Sequence, residues 1–270
     1  MKLNVFQIGS IIFMAAASAL ADEKTYWAQT AQNPMADLMK LSIRNSYDFN
    51  AGKKEAVNFR VAFQPSMVSE ISTGWNLVNR LDIPFLYQPG RITGEKDSFG
   101  LGDITYESWF GPSSGQPFFW GLGPVVQIPT ATDNQIGTKK WSAGLTANTT
   151  VVRGPIVAGI RANHLWSFAG PDHREKVNRT TIEYYCYANL GNGWWIGTAP
   201  INTANWEASS NNIWTIPLGG GFGKLIGKRR PINLKFEAYS YAESPNGEAD
   251  WSLMLGVDFL IPENSLFKRN

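Results

Sequence analysis

The chain has 270 residues, with 24 basic and 22 acidic side chains and two histidines, so a formal charge of +2 leaves no broad basic surface for nucleic acid. Its one cysteine, Cys186, excludes an intrachain disulfide, and there is no spaced Cys or His set to hold a metal and no cofactor motif. Beyond the amino-terminal segment no apolar run reaches the length of a transmembrane helix, and the mean hydropathy is slightly negative.

Lys2, the apolar run from Ile8 to Ala17 and the small residues Ala19 and Ala21 before Asp22-Glu23 read as a secretory signal over residues 1–21, cleaved after Ala21. An uncleaved anchor helix is the alternative. Residues 22–40 are polar and lack alternation. Asn33 followed by Pro34 has the pattern of a helix cap and a first helical position, which places a short helix starting there. This segment is expected to lie on the periplasmic side, or to act as a plug.

From about Leu41 onward, roughly twelve tracts alternate apolar and polar side chains over the length a tilted membrane strand needs. Their centres fall near Arg44, Arg60, Arg80, Tyr106, Leu122, Ala147, Arg161, Tyr184, Gly197, Gly220, Lys235 and Leu255. The stretch from Trp251 to Ile261 is the clearest. Trp251, Leu253, Leu255, Val257, Phe259 and Ile261 share one face, and Ser252, Gly256 and Asp258 share the other. The expectation is an all-β fold: a closed antiparallel transmembrane barrel over residues 41–262, followed by a tail over 263–270. The last tract resembles the assembly signal that usually ends such a chain on an aromatic residue. Here either Phe259 or Phe267 fills that place.

Connections alternate in length. Those at Gly111 to Gln116, Arg153 to Pro155, Gly191 to Gly193 and Gly227 to Pro231 are brief. Those at Gln88 to Ser98, Pro129 to Lys140, Ser167 to Val177, Glu207 to Asn212 and Glu243 to Ala249 are longer. Asn50 to Lys53 and Pro65 to Thr73 break the trend. Short turns on one rim and long loops on the other is how outer-membrane barrels are built, with both termini periplasmic. Trp75, Trp109, Trp120, Trp141, Trp166, Trp194, Trp195, Trp206, Trp214 and Trp251 fall near tract ends and are expected in two interfacial girdles. A large soluble β-sandwich with Trp core anchors is the alternative. Gly219-Gly220-Gly221-Phe222-Gly223 lacks the Gly-Lys of a phosphate loop and reads as close packing in a curved wall.

The inward faces carry Arg60, Arg80, Asp82, Asp103, Glu107, Arg161, Glu183, Lys235, Glu237 and Asp258 as candidate lumen-lining residues. Rows of both signs suit either a selectivity lining or an interior zipped by ion pairs, and a barrel of this size lies between the filled and the open limits. Gly111-Pro112-Ser113-Ser114-Gly115 matches Gly-x-Ser-x-Gly but sits in a turn with no helix after it, so it is read as coincidence. His164, Ser167, Asp172 and His173 cluster in sequence, and a rim hydrolase is a minor alternative.

Gly100-Leu101-Gly102-Asp103-Ile104, Gly121-Leu122-Gly123-Pro124 through Ile128-Pro129-Thr130-Ala131-Thr132-Asp133, Lys140-Trp141-Ser142-Ala143-Gly144, Leu165-Trp166-Ser167-Phe168-Ala169-Gly170, Asn205-Trp206-Glu207 and Trp214-Thr215-Ile216-Pro217-Leu218-Gly219-Gly220-Gly221 together resemble a family of bacterial outer-membrane proteins. That family is often labelled "neuromedin U" or "transporter", and is similar to the barrel superfamily of the meta pathway of phenol degradation. The resemblance implies a Gram-negative outer-membrane barrel that moves small, hydrophobic or aromatic molecules, and it transfers no catalytic residue. Its motifs put Asp133, Lys140, Ser167 and Glu207 in or beside long loops of one rim, as an entry or gate. The expected function is passive passage of a small solute by a monomeric barrel, not an enzyme. Its expected partners are outer-membrane lipid, the solute and the barrel-assembly machinery, and no nucleic acid. A non-conducting structural or binding platform is the second reading.

Overall fold

The computed structural model describes residues 23–52, 54–90, 96–113, 117–227 and 230–261. The expected signal over 1–21 and tail over 263–270, the Lys228-Arg229 pair and Ser114-Gly115 lie outside the described residues. A helix, α1 (Glu23–Gln32), precedes fourteen strand segments: β1 (Met39–Ala51), β2 (Ala56–Ser72), β3 (Trp75–Gln88), β4 (Ser98–Leu101), β5 (Ile104–Pro112), β6 (Phe118–Ile128), β7 (Trp141–Arg153), β8 (Ile156–Ala169), β9 (Asn178–Gly191), β10 (Trp194–Thr198), β11 (Ile201–Asn205), β12 (Trp214–Ile226), β13 (Ile232–Glu243) and β14 (Trp251–Ile261).

Both β4 and β5 pair with β3, and both β10 and β11 lie between β9 and β12, so the fourteen segments make a wall of twelve strands. Every pairing is antiparallel. The cylinder closes where β14 pairs β1, in register from Met39↔Ile261 to Phe49↔Trp251. Closure leaves no strand edge, which backbone in hydrocarbon requires.

Along β14, burial alternates residue by residue, with the Trp251 face outward and the Ser252, Asp258 face buried within. Around the wall the outward phase carries large apolar side chains in mid-strand, such as Leu145 (62% exposed) and Leu218 (53% exposed). In water this belt would be an exposed apolar patch of unusual extent, whereas against lipid it is the solvated face. Trp141, Trp166, Trp206, Trp214 and Trp251 ring the long-loop rim and Trp120 and Trp194 the short-turn rim, all on the outside. A closed barrel with an even strand count, an apolar belt and aromatic girdles is the architecture of the Gram-negative outer membrane.

Three expectations are corrected. Trp109 (1% exposed) and Trp195 (0% exposed) are not girdle residues; they sit on the inward phase and donate their indole N–H to Thr146 (3.0 Å) and Asn233 (2.9 Å). Residues 65–72 are not a connection but the end of β2, because Pro65 faces outward opposite Leu41 and the ladder runs through it to a two-residue turn at Thr73-Gly74. The helix ends, rather than starts, at Asn33. Asn33 Oδ1 accepts the Met35 N–H (3.0 Å), and Pro34, without an N–H, cannot continue the turn.

Helix α1 packs inside the barrel at its short-turn end. Ala28 and Ala31 join Trp195, Leu225, Leu38 and Leu260 in one buried cluster. Gln29 donates to the carbonyl of Gly154 in the β7–β8 turn (2.6 Å), and Gln32 and Asn189 exchange amide bonds (3.2 and 2.9 Å). Inward glycines make the room. A Cβ at Gly121 would lie 2.9 Å from the Met35 thioether methyl, and one at Gly223 would lie 2.1 Å from the Trp195 ring. Gly223→Leu is therefore expected to lower barrel stability by about 1–3 kcal/mol in urea titrations in vesicles. Combined with Trp195→Leu, the cost should be less than the sum of the two single changes.

Candidate functional site

Alternation delivers the charged rows to the inner face, and adjacent strands pair them. Arg60 Nη2 meets Asp82 Oδ2 at 2.5 Å, with Gln64 on the other oxygen at 3.3 Å. Arg80 Nη1 meets Glu107 Oε2 at 3.4 Å, and Lys235 Nζ meets Asp258 Oδ2 at 2.9 Å beside Asn233 (3.0 Å). Arg161 pairs with Glu183 across β8 and β9. The second oxygen of Glu107 accepts from Asn163 (2.8 Å) and Thr146 (3.2 Å). Nine of the ten expected lumen residues thus lie on the inner face in one charged lining, with Glu237 joined through a residue outside that set.

That residue is Arg44. From β1 it stands 3.6 Å from Glu183 on β9 and 3.8 Å from Glu237 on β13, linking pairs that no adjacent-strand register connects. Its place at the centre of an alternating tract was the available signal. Arg44, Glu183 and Glu237 are largely withdrawn from water, and charges so placed are tolerated when paired.

Asp103 departs from expectation. The strand is interrupted at Gly102-Asp103: the Gly102 N–H extends the β3–β4 ladder to the Pro84 carbonyl (2.8 Å), and the pairing with β3 then shifts by one residue, from Phe85↔Leu101 to Asp82↔Thr105. Asp103 there accepts from the backbone N–H of Ala131 (3.2 Å) and Thr138 (2.7 Å), the Thr138 hydroxyl (2.7 Å) and Gln127 (3.1 Å). It pins the 129–140 loop to the wall rather than facing the central cavity. Arg174, from the 170–177 loop, holds the same segment through the carbonyls of Asn134 (3.0 Å), Thr138 (3.3 Å) and Gly137.

The rim residues are not drawn into one site. Asp133 accepts from Ser98 (3.1 Å) and from the Gln135 N–H (2.8 Å), Lys140 N–H donates to the Thr138 hydroxyl (3.3 Å), and Glu207 N–H donates to Asn205 (3.2 Å). Ser167 Oγ accepts the Val177 N–H (3.0 Å) and staples strand to loop. His164 bonds Thr180 (2.7 Å) and Asn178 (3.0 Å) and packs at a tilt against the Trp166 ring. Being three positions apart, Ser167 and His164 point to opposite faces of β8, so the Ser167–His164 version of a rim hydrolase has no geometry behind it.

Between α1 and the charged rows lies a cavity of about 100 Å³. Residues of the 30–38 segment form one side. Lys40, Arg44, Arg80, Arg161 and Lys235 face it together with Glu183 and Asp258, and Trp109, Tyr185, Tyr187 and Trp195 contribute rings. The second wall interruption lies nearby, at Ala199-Pro200. Ladder pairs between β10/β11 and β12 are confined to Trp194–Gly197 and Thr203–Ala204, and the Ala199 N–H turns inward to the Tyr239 hydroxyl (3.0 Å). Among the described residues no group of His, Cys, Asp and Glu is placed to hold a metal.

No family model matches the chain, and no curated protein matches it. Among solved structures, an outer membrane channel from Pseudomonas putida F1 superposes with TM-score 0.66 at 13% identity, the match covering 84% of this chain and 96% of that one. The translocator domain of the autotransporter NalP from Neisseria meningitidis (TM-score 0.46, 10% identity, 83% and 88% covered) also matches. So does outer membrane phospholipase A from Escherichia coli (TM-score 0.41, 11% identity, 83% and 95% covered). The likeness to the channel shows a shared outer-membrane barrel fold, and a shared fold does not by itself fix function.

Two outcomes follow from the site's electrostatics. Arg44→Met leaves two withdrawn carboxylates short of their counter-charge and should cost about 3–5 kcal/mol. Adding Glu237→Gln should recover part of that loss in the same urea titration. At the long-loop rim, the Gly90 N–H (3.0 Å) and the Tyr87 hydroxyl (2.9 Å) hold Asp97 below the ordinary carboxylate range. A depressed carboxylate contributes fully above its unfolded value, and the contribution is lost as pH falls through the folded one. The protection of the Gly90 amide, its exchange rate relative to an unstructured amide at the same pH, should hold through mildly acidic pH and fall only below pH 3.8, the ordinary value for this side chain.

Proposed function

We propose that the protein is a monomeric outer-membrane channel giving passive passage to a small solute, with α1 and the 33–38 segment as a plug at the periplasmic mouth. The observation that carries this reading is the charged cavity. A barrel serving only as a scaffold has no use for a cavity of about 100 Å³ with both signs of charge beneath a plug, whereas a narrow solute path requires one. The shared fold with an outer membrane channel supports it. So does the motif resemblance to the transporter family, whose small hydrophobic or aromatic solutes suit the rings of Tyr185, Tyr187 and Trp195. On this reading the Arg and carboxylate rows set charge selectivity, and the loops bearing Asp133, Lys140, Ser167 and Glu207 shape the entry.

One observation favours the platform reading: Arg60–Asp82, Arg80–Glu107, Arg161–Glu183 and Lys235–Asp258 zip much of the lumen. Planar bilayers separate the two. The full-length protein should give small, infrequent conductance steps, and a variant lacking residues 23–36 should conduct several-fold more. A deletion variant that inserts and stays silent sinks the channel reading.

A further inference from the structure

The cavity beneath the plug carries a charge imbalance that the channel reading does not use. Five cations face it: Lys40, Arg44, Arg80, Arg161 and Lys235. Four carboxylates answer them, Glu107 on Arg80, Glu183 on Arg161 and Arg44, Glu237 on Arg44, and Asp258 on Lys235. Lys40 is the cation left over. Among the described residues no carboxylate lies within ion-pair distance of it, and its one hydrogen bond goes to the Ala31 carbonyl at 3.0 Å. That carbonyl belongs to the last turn of α1, where the helix carries partial negative charge, so the ammonium caps the plug. A helix end answers only a fraction of a unit charge. Asp258, the acid acting on it most strongly, is already committed to Lys235 (2.9 Å) and Asn233 (3.0 Å), while Lys235 and Arg80 repel it.

The walls around this surplus charge are aromatic. Trp195, Trp109 and Tyr185 have tied their polar ends to Asn233, Thr146 and Thr150, which leaves their ring surfaces as what a ligand would meet. Tyr187 packs edge-on against Trp195 at 5.1 Å. About 100 Å³ holds on the order of seven waters at ~10–15 Å³ each, the space of one small ring acid.

We propose that the cavity is a binding site for a small aromatic monocarboxylate, whose carboxylate takes the Lys40 ammonium and whose ring lies against Trp195 and Tyr187. The site names the solute class of the proposed channel and rests on that reading only in placing the cavity on the solute's route. The ammonium gives one of its three donors to Ala31, so the anion can be taken on the others with the plug's cap in place.

Benzoate, benzamide and benzylamine are the probes, titrated by calorimetry against the full-length protein in detergent micelles. Benzoate should saturate one site, with benzamide weaker by about tenfold or more and benzylamine not bound, since a charge-assisted bond is lost or a like charge added. Lys40→Met should weaken benzoate by about tenfold and leave benzamide where it was, and Lys40→Arg should restore benzoate to within about threefold. Should Lys40→Met fail to give the heat-resistant folded band on a gel, the probe ratio on the unaltered protein and on Lys40→Arg still decides. Equal binding of benzoate and benzamide, no benzoate binding, or a folded Lys40→Met variant with unchanged benzoate affinity overturns the proposal. Saturable benzoate binding by a barrel that never conducts would leave the site standing and remove the channel. Conductance without benzoate preference would do the reverse.

Discussion

Every strand of this wall gives one face to lipid, so each charge the chain carries across the membrane must find its partner on the other face. Twelve strands provide that inner face, and adjacent registers supply most of the answers, Arg60 to Asp82, Arg80 to Glu107, Lys235 to Asp258. Arg44 then ties carboxylates from separate strands together. Withdrawn ions are costly singly and tolerable in networks, and Thr146, Asn163, Gln64 and Asn233 bond carboxylate oxygens here, while Glu237 Oε1 and Asp258 Oδ1 stay buried without a hydrogen-bond partner.

The barrel itself was readable because a period of two survives any amount of curvature. Trp251 outward and Asp258 inward is a statement about successive residues, and β14 keeps it throughout. The helix at the amino-terminal end was misplaced, because the buried face of α1 is Thr25, Ala28, Ala31 and Gln32, small or polar side chains that make no apolar stripe. Trp109 and Trp195 misled for a related reason. Tryptophan near a strand end usually marks an interface, but inward phase and a waiting hydrogen-bond acceptor override that preference. The loss of Asp103 from the lining depends on a strand break at Gly102 that alternation runs straight across. Arg44 escaped the expected lining because its partners lie on strands β9 and β13, and pattern reading pairs only neighbours.

The two wall interruptions share a composition. Pro84 and Gly102 meet at one, Pro200, Pro217 and Gly219-Gly220-Gly221 at the other, residues that cannot donate to a ladder or that let the chain leave it cheaply. In both, backbone groups at the break are taken up by a side chain, the Ile104 N–H and the Gly102 carbonyl by the Thr130 hydroxyl and the Ala199 N–H by the Tyr239 hydroxyl. Side chains outside the strand ladder thus help hold the wall together at both breaks.

The seam between β1 and β14 joins residues such as Asn45 and Leu255, 210 positions apart. Its formation carries the largest loop-closure cost in the molecule. Helix α1 and Met35 immediately precede β1, yet they pack against strands from the middle of the chain, β5, β6, β8, β9, β10 and β12. An open sheet can therefore recruit its own first strand by seating this segment on its concave side, which brings the two chain ends near each other before they pair. A segment that fills the short-turn end of the finished barrel can thus serve, during biogenesis, as an intramolecular mould around which the cylinder is drawn shut.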